Sequence, residues 1–486
     1  METKHLIALL LIFGLTAGGT VLLTFWQRAR DFAFFLLVAC AVLTERMDVH
    51  FFSTEWYRGT TRGVEVSLLD ILALSLLAAS WLAPRYGPKQ WYWPASLGLM
   101  ALYFLDCSFS TLISEPKLYG FFELTKVFRG IIIFLTAAMF VRTKRELIPL
   151  ITALGCAVCF EGALAIEQHL SYGLFRLPGS LDHPNSLSMY LCLVSPMLVA
   201  GATSDLPRWL RRFCLVCCGA AAFSILCTLS RAGLPIFAFV MLGTAAWCVS
   251  WRVTMRKAAM MASIALGAGL LLYHSWGLLE LRYGQSTLAE EYLDPESEGR
   301  GVYFRYAHAI LTEHFLGVGL NNWSYWVSKV YGPRLGFPYE DYDSLDLESA
   351  NDQILGNAYL AAPAHNLAAL TVGELGVPGL LLFGLVWLRW FQMGASFLWR
   401  RVSDPMHRLG VGIFFGTAGI FLQSMTEWTY RQTPIMFTFH LMLGALASLY
   451  YHRHHAAGAA VAEVDFKPVE IEELEPIIPV RATAGR

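Results

Sequence analysis

Charged side chains are scarce in this chain. They make up 15% of its 486 residues, while hydrophobic residues make up 56%. A chain of this size that is so apolar is not a soluble globular protein. Apolar runs of about 17 residues or more recur along it, which is typical of a helical membrane protein with many spans. The formal net charge of −1 gives no reason to expect a nucleic-acid partner.

Cysteine is absent from the long polar segment at residues 277–363, because all ten cysteines fall in or beside apolar runs. The pairs Cys156/Cys159 and Cys214/Cys217 have the spacing of redox or zinc motifs. Both pairs lie within membrane-length apolar runs without a nearby His or Asp. We therefore interpret them as small buried hydrophobic residues.

Thirteen apolar runs are candidates for membrane-spanning helices. They lie at residues 6–26, 32–44, 67–83, 95–113, 122–141, 147–168, 185–203, 213–228, 233–251, 258–276, 366–391, 409–425 and 434–451. Because the run at 32–44 is short and could be re-entrant, we predict an all-α, polytopic membrane protein with twelve or thirteen spans. The first run is predicted to be a retained helix rather than a signal peptide, since no small-residue cleavage site follows it.

The loops between these runs alternate in their content of Lys and Arg. The positive-inside rule places the richer set, such as residues 142–145 and 208–212, in the cytoplasm. The long polar segment then lies on the outer face. We predict an N-terminal transmembrane bundle (1–276), an outer loop (277–364), C-terminal transmembrane helices (365–451) and a disordered, acidic cytoplasmic tail (452–486).

The outer loop contains a stretch, residues 300–326, with aromatic and aliphatic residues at helical spacing. It predicts an amphipathic helix, a turn over Gly317–Asn322 and a second short helix that begins near Trp323. The aromatic residues favour a position along the membrane surface.

The polar residues best suited to chemistry lie on the predicted outer face. His365 and Asn366 stand where a helix meets water, and Glu374 lies about 13 Å deeper at 1.5 Å per residue. A neutral histidine can accept a proton near pH 7, although an interfacial anchor is the simpler role. Arginine binds phosphate bidentately and stays charged. The outer-face candidates for such binding are Arg176, Arg231, Arg300 and Arg305, with Asn185 at the start of a helix.

Ionisable residues inside apolar runs need partners. Glu123 and Lys126 are spaced to pair along one helix. Arg129, one turn further, needs another partner, which Glu161 or Glu167 could supply.

One short motif suggests a metal. Asp341-Tyr342-Asp343 has the D-x-D pattern that many glycosyltransferases use to hold a divalent cation. The motif lies among other carboxylates, so a solvated acidic loop is the simpler interpretation, and we predict neither a metal nor a cofactor.

Five motifs in this order resemble one family. They are Arg-x-x-Gly-x-x-x-x-Pro-Asn at 176–185, Ser-Arg-Ala-Gly at 230–233, Arg300 followed by Phe304 and Ala307, Gly-Val-Gly-Leu-Asn-Asn at 317–322, and His-Asn at 365–366 with Glu-x-Gly-x-x-Gly at 374–379. Together with the long outer loop before the last helices, they resemble the O-antigen ligase and O-antigen polymerase superfamily of bacterial inner membranes. The resemblance spans roughly residues 60–450.

The resemblance implies a metal-independent glycosyltransferase whose active site faces the periplasm. Such enzymes move a glycan from undecaprenyl pyrophosphate to an acceptor hydroxyl, on a lipid A core in ligases and on another lipid-linked glycan in polymerases. The family's histidine matches His365, and its two arginines match Arg231 and Arg300, with Arg305 close to the second. The Trp and Pro usual in the following stretch are Phe304 and Phe315 here.

Other functions are also compatible with the sequence. A polymerase of the same superfamily is the nearest alternative to a ligase. A transporter of lipid-linked glycan would use the intramembrane Glu and Arg residues as a path, but the polar residues concentrate on one face of the membrane. A metal-dependent transferase would use Asp341 and Asp343.

Overall fold

The computed structural model describes residues 3–54, 56–83, 92–174, 176–249, 299–337, 339 and 360–465, with isolated positions between 254 and 284. Within these residues the protein is predominantly helical, as predicted. The first part of the chain forms α1 (Thr3–Phe25), α2 (Gln27–Ala39), α3 (Thr44–Met47), α4 (Leu68–Leu82), α5 (Leu97–Ile113), α6 (Lys117–Phe140), α7 (Leu147–Tyr172), α8 (Pro184–Thr203), α9 (Arg208–Thr228) and α10 (Gly233–Cys248).

The outer loop and the C-terminal part add six further helices to the described structure. They are α11 (Gly301–Glu313), α12 (Trp323–Trp326), α13 (Gly332–Arg334), α14 (Leu367–Ala395), α15 (Pro405–Ser424) and α16 (Thr433–Asp465). The amphipathic helix, the Gly/Asn turn and the helix start at Trp323 are confirmed. Helix α16 continues to Asp465, into the segment that its composition predicts to be a disordered tail.

Twelve of the thirteen apolar runs coincide with helices, and the run at 258–276 lies outside the described residues except for three isolated positions. Five helices in the described part are long and apolar enough to cross a membrane: α7, α8, α9, α14 and the Thr433–His454 part of α16. Shorter apolar helices accompany them. The chain is therefore an all-α, polytopic membrane protein.

One small sheet was not predicted. Strands β1 (Val49–Ser53) and β2 (Gly63–Val66) pair antiparallel, with His50 opposite Glu65 and an irregularity between His50 and Phe52. Both strands are short, and the connection between them lacks the two-residue turn that marks a tight hairpin in sequence. Glu65 of β2 belongs to a buried charge cluster described below.

The centre of the bundle is formed by helices whose whole circumference is buried. The apolar window of α8 is 89% buried and that of α16 is 94% buried, against 33% for α9. Helix α15 packs closely on α8 through glycines on one stripe: Gly412, Gly416 and Gly419. A Cβ at Gly416 would lie 2.4 Å from the carbonyl oxygen of Leu193. Small residues at such a contact let two membrane helices approach backbone to backbone.

Helix α14 is broken at Gly376, where φ is +65° and ψ is −164°. The break turns the carbonyl groups of Gly373 and Glu374 outward, and they accept hydrogen bonds from the amides of Val318 (3.0 Å) and Gly319 (2.9 Å). The amide of Val377 donates to the carbonyl of Phe315 at 3.2 Å. The turn after α11 therefore supplies the hydrogen bonds that the helix loses, which a membrane interior requires.

We expect Gly376→Ala to destabilise the protein. The positive φ disfavours any Cβ, and a Cβ here would lie 2.1 Å from the Phe315 carbonyl oxygen; strain of this kind costs about 1–3 kcal/mol. Gly384→Ala is the matched control, because a Cβ at this exposed position of the same helix meets nothing within 4 Å. Thermal midpoints of the two purified variants in detergent should differ, with Gly376→Ala the lower. Equal midpoints would contradict the role assigned to the break.

Candidate functional site

His365 is held at the start of α14 by the way that helix begins. The side chain of Asn366 caps the helix, accepting a hydrogen bond from the amide of Ala369 at 2.9 Å, and donates to the carbonyl of Met425 at 2.7 Å. His365 directly precedes this cap and its side chain is 33% exposed. Its ring lies 5.6 Å from the ring of Tyr303 on α11. The imidazole is therefore fixed in place but remains accessible.

Glu427 joins the residues of the site. It lies between α15 and the 3-10 turn Thr429–Arg431, and its side chain is 4% exposed. The Nδ1 atom of His365 lies 2.7 Å from its Oε2 atom. Its Oε1 atom accepts hydrogen bonds from Arg300 Nη2 at 2.8 Å and from Asn185 Nδ2 at 2.6 Å. One buried carboxylate thus connects three residues that are distant in sequence and that were all predicted.

Glu427 itself was not predicted. A signal was present, because it is the one carboxylate between residues 405 and 451 and lies in the short connection between the last two apolar runs. That connection leads back to the membrane face on which His365 lies.

The charge state of Glu427 follows from its neighbours. Burial alone would raise its pKa, but the hydrogen bond and charge of His365, together with Arg300 and His183, hold the pKa of this carboxyl below its usual range. An ionised Glu427 can only accept at its short contact, so Nδ1 of His365 carries a proton. In the neutral imidazole the Nε2 atom then has the free lone pair.

Asn185 extends the arrangement to a second arginine. Arg176 donates from Nη2 to Asn185 Oδ1 at 3.2 Å, and from Nε to the carbonyl of Thr228 at 3.3 Å. Thr228 ends α9, so Arg176 adjoins the short turn that carries Arg231 before α10 begins at Gly233.

The loop 176–185 is held from below by α7. Glu161 accepts a hydrogen bond from the amide of Ser180 at 2.8 Å. His183 caps α8, with its Nδ1 atom accepting from the amide of Asn185 at 3.1 Å. Burial lowers the pKa of His183 despite the nearby Glu427 charge, which keeps this acceptor neutral.

The structure separates Arg300 from Arg305. Arg300 ends the loop before α11 and binds Glu427. The guanidinium of Arg305, further along α11, lies over the ring of Phe337 at 5.4 Å. Among the described residues it is thus Arg300 that shares the carboxylate with His365. Asp341 and Asp343 lie outside the described residues.

Two predicted substrate-binding residues have structural partners instead. Asn366 is a buried helix cap, as described above. Glu374 is 1% exposed and its Oε2 atom lies 2.5 Å from Nη1 of Arg431. The guanidinium of Arg431 also binds Glu123 at 3.0 Å, and Glu123 binds Lys126 at 2.7 Å as predicted. These residues form a buried ion network, and substrate binding by Asn366 and Glu374 stays a prediction.

The prediction for Arg129 was wrong in its partners. Glu161 binds Ser180, and no contact of Arg129 with Glu161 or Glu167 is among those found in the described residues. Arg129 pairs instead with Asp70, at 2.8 Å, and with other carboxylates of the N-terminal segment. Nothing in the sequence indicates this pairing, because it depends on strands β1 and β2, which were not predicted and which bring that segment to α6.

Comparison with known protein families gives a match for part of the chain. Residues 215–384 match the family model described as O-antigen ligase. The matched range includes Arg231, Arg300 and His365, while Arg176, Asn185 and Glu427 lie outside it. A comparison with curated proteins finds no match for the chain.

We expect Glu374→Gln to destabilise the fold strongly. It would leave the charge of Arg431 partly unbalanced in a buried position, and breaking a buried ion pair costs about 3–5 kcal/mol. Glu313→Gln is the matched control, because Glu313 and Arg334 form a 2.6 Å pair whose side chains are 49% and 57% exposed. An exposed pair contributes about 0–1 kcal/mol. A Glu374→Gln variant as thermostable as Glu313→Gln would argue against the structural role.

Proposed function

On the premise that residues 215–384 match the family model described as O-antigen ligase, we propose that the chain is an O-antigen ligase-like glycosyltransferase. It transfers a glycan from undecaprenyl pyrophosphate to an acceptor hydroxyl on the periplasmic face of a bacterial inner membrane. The observation that carries the proposal is the convergence of His365, Arg300 and Asn185 on Glu427.

The proposed reaction needs a base and a stabilised leaving group. The acceptor oxygen attacks the anomeric carbon while the bond from that carbon to the pyrophosphate oxygen breaks. The hydroxyl proton passes to the base, because an un-ionised sugar hydroxyl is a poor nucleophile. Undecaprenyl pyrophosphate departs with the electron pair of the broken bond. Attack opposite the leaving group inverts the anomeric configuration.

His365 is the proposed base. Its Nδ1 atom is engaged by Glu427 at 2.7 Å, so Nε2 is the nitrogen that can accept the acceptor's proton. The partial exposure of the side chain leaves room for a substrate to reach it. We propose that Glu427 positions the ring, fixes its tautomer and stabilises the imidazolium formed by proton transfer, as a carboxylate does for the histidine of a catalytic triad.

Arginines are proposed to bind and stabilise the pyrophosphate leaving group. Negative charge gathers on the leaving oxygen in the transition state, and fixed cations that are already oriented stabilise it most. Arg300 is one hydrogen bond from Glu427, and Arg176 is linked to the same carboxylate through Asn185. Arg231 lies in the adjacent turn. A guanidinium carries five N–H donors, so binding a carboxylate and binding phosphate are compatible.

The proposed orientation rests on the distribution of basic residues. Loops at 142–145, 208–212 and 252–257 are rich in Lys and Arg, which favours the cytoplasm for them and the opposite side for His365. Membrane lipids surround the helices, and the acceptor approaches from the periplasm. For a ligase the acceptor is a lipid A core; for a polymerase it is another lipid-linked glycan.

Substitution of His365 or Glu427 should lower the transfer rate strongly while the protein remains folded. We expect His365→Ala and Glu427→Gln each to lower kcat by about 10²-fold or more, since general-base catalysis contributes about 10²–10⁴. The rate would be measured on purified protein with undecaprenyl-pyrophosphate-linked glycan and a lipid A-core acceptor. His308→Ala is the control, because this exposed histidine lies on α11 away from Glu427's contacts. Wild-type turnover by His365→Ala would exclude it as the base.

The same assay separates the alternative functions. Transfer to lipid A core identifies a ligase, and transfer only to a second lipid-linked glycan identifies a polymerase. Movement of lipid-linked glycan between leaflets, with no new glycosidic bond under either condition, would identify a transporter and exclude the transferase.

We expect Arg300→Lys to lower kcat by about 10- to 100-fold, because lysine keeps the charge but loses the guanidinium fork. Arg334→Lys, at an exposed pair, should match the wild type. A larger loss of kcat in Arg305→Lys than in Arg300→Lys would assign the role to Arg305.

In the same assay, EDTA should leave the transfer rate unchanged. Loss of activity on chelation that is restored by divalent metal would favour the metal-dependent mechanism instead.

A further inference from the structure

A second cluster of buried charge surrounds Arg129 on α6. Its guanidinium lies 2.8 Å from Asp70 in the first turn of α4, 3.4 Å from Asp48 before β1 and 3.7 Å from Glu65 on β2. The side chains are 1% exposed for Asp48, 10% for Arg129 and 12% for both Asp70 and Glu65. Three carboxylates from three chain segments therefore meet at one arginine.

These charges do not balance. Three ionised carboxylates around one guanidinium would bury two excess negative charges, and an uncompensated buried charge costs several kcal/mol. A bound proton or a small cation would reduce the excess. In the part of the chain that the structure describes, no group of three or more His, Cys, Asp or Glu side chains is arranged to hold a metal ion.

Asp70 is not the residue that needs a proton. Its two oxygens accept from Arg129 Nε at 2.9 Å, from Arg129 Nη2 at 2.8 Å and from the amide of Ser67 at 2.7 Å. The hydroxyl of Ser67 also donates to Asp70 Oδ2, at 3.0 Å. A carboxylate with so many donors is stabilised in its ionised form.

Asp48 is placed differently. Its Oδ1 atom faces Arg129 at 3.4 Å, but its buried Oδ2 atom accepts no hydrogen bond from an N–H or O–H donor of the described residues. Glu65 faces the same guanidinium, 3.7 Å from Arg129 Nη1, and besides burial its charge and its side-chain hydrogen bond raise the pKa of Asp48. Two carboxylates cannot hydrogen-bond to each other unless one carries a proton. The contact is therefore an acid–carboxylate pair.

We propose that Asp48 and Glu65 form a proton-binding site, in which one shared proton fastens the β1–β2 hairpin to α4 and α6. The other charged groups that face this pair are Lys126 on α6, Glu45 on α3 and His50, whose ring lies 3.8 Å from Glu65. Glu45 also faces Asp182 of the loop 176–185. Loss of the proton would place two bare carboxylates side by side in a buried site.

The site makes stability depend on pH. Burial, opposed by Arg129 and reinforced by Glu65 and Asp70, raises the pKa of Asp48 to about 7. In the unfolded chain an aspartate has a pKa of about 3.9. The folded protein therefore binds the proton more tightly, and the stabilisation is full below about pH 4 and lost as the pH rises through about 7.

The consequence extends to the candidate active site. Arg46, two residues before Asp48, donates from Nε to the carbonyl of Ser180 at 3.2 Å. Ser180 lies in the loop that carries Arg176 and Asn185. A loosened hairpin would thus remove one of the supports of that loop.

The test is the thermal midpoint of the full-length protein, purified in lipid nanodiscs, measured from about pH 5 to about pH 8. In the wild type the midpoint should fall across this range. Asp48→Asn should reduce this fall and melt above the wild type at the basic end, because the Asn amide donates to Glu65 without needing a proton. The slope that remains is assigned to Glu45, whose pKa burial and the charge of Asp182 raise to about 8. Glu65→Gln should act in the same way and serves if Asp48→Asn does not fold. An unchanged slope in both variants would overturn the proposal.

Two controls and one further measurement make the test specific. Asp31→Asn, at the more exposed pair with Arg145, and His50→Gln should both retain the wild-type slope; a flat profile in His50→Gln would assign the proton to histidine and overturn the site. Infrared spectra of the wild type at about pH 6 should contain a carboxylic acid C=O band that Asp48→Asn lacks. If Mg²⁺, Ca²⁺ or Na⁺ raises the midpoint of the wild type but not of Asp48→Asn, the ligand is a cation and not a proton.

Discussion

The backbone junction between the broken helix α14 and the turn after α11 is the constraint on which the rest of the structure depends. The amides of Val318 and Gly319 bind the carbonyls of Gly373 and Glu374, and the amide of Val377 binds Phe315. A break inside a membrane helix exposes polar backbone groups, which must find partners within the protein. This junction supplies them, and it thereby ties the outer loop to the helix that begins directly after His365.

Two consequences follow from where the junction lies. The first half of α14 is held between its cap at Asn366 and the break at Gly376, so the half-helix that follows His365 is fixed at both ends. The outer loop that carries Arg300 on one side of the turn cannot move independently of that half-helix. His365 and Arg300, which belong to different elements, are therefore presented to Glu427 as one unit.

Buried carboxylates are paired with cations in three different arrangements within the bundle. Around Arg431, two carboxylates and a lysine are arranged as a buried network in which each charge has a partner. Around Arg129, carboxylates outnumber the cation, which calls for a proton. At Glu427 the carboxylate is shared by a partly exposed arginine and histidine. Of these three, the last combines buried support with access from outside, which is what a reaction on a large substrate requires.

The sequence by itself determined the class of the protein and several residues of the candidate site. Apolar runs of membrane length predict helices because a bilayer leaves few other structures for them. The Gly/Asn turn follows from local backbone preferences. Four site residues could be selected from the sequence because they are polar and lie on one predicted face of the membrane: Arg176, Asn185, Arg300 and His365.

The tertiary structure alone decided how those residues connect. Glu427 is an ordinary acidic residue of a short loop until folding brings it 2.7 Å from an imidazole that is 62 positions away in the chain. Likewise, Glu374 and Arg305 resemble Arg300 as candidates in sequence, but one is buried against Arg431 and the other stacks on Phe337. Periodicity and composition report which side of an element is apolar; they contain no information on which polar groups meet across helices. That pairing depends on the packing of the whole bundle, because hydrogen bonds and ion pairs act only over a few ångströms.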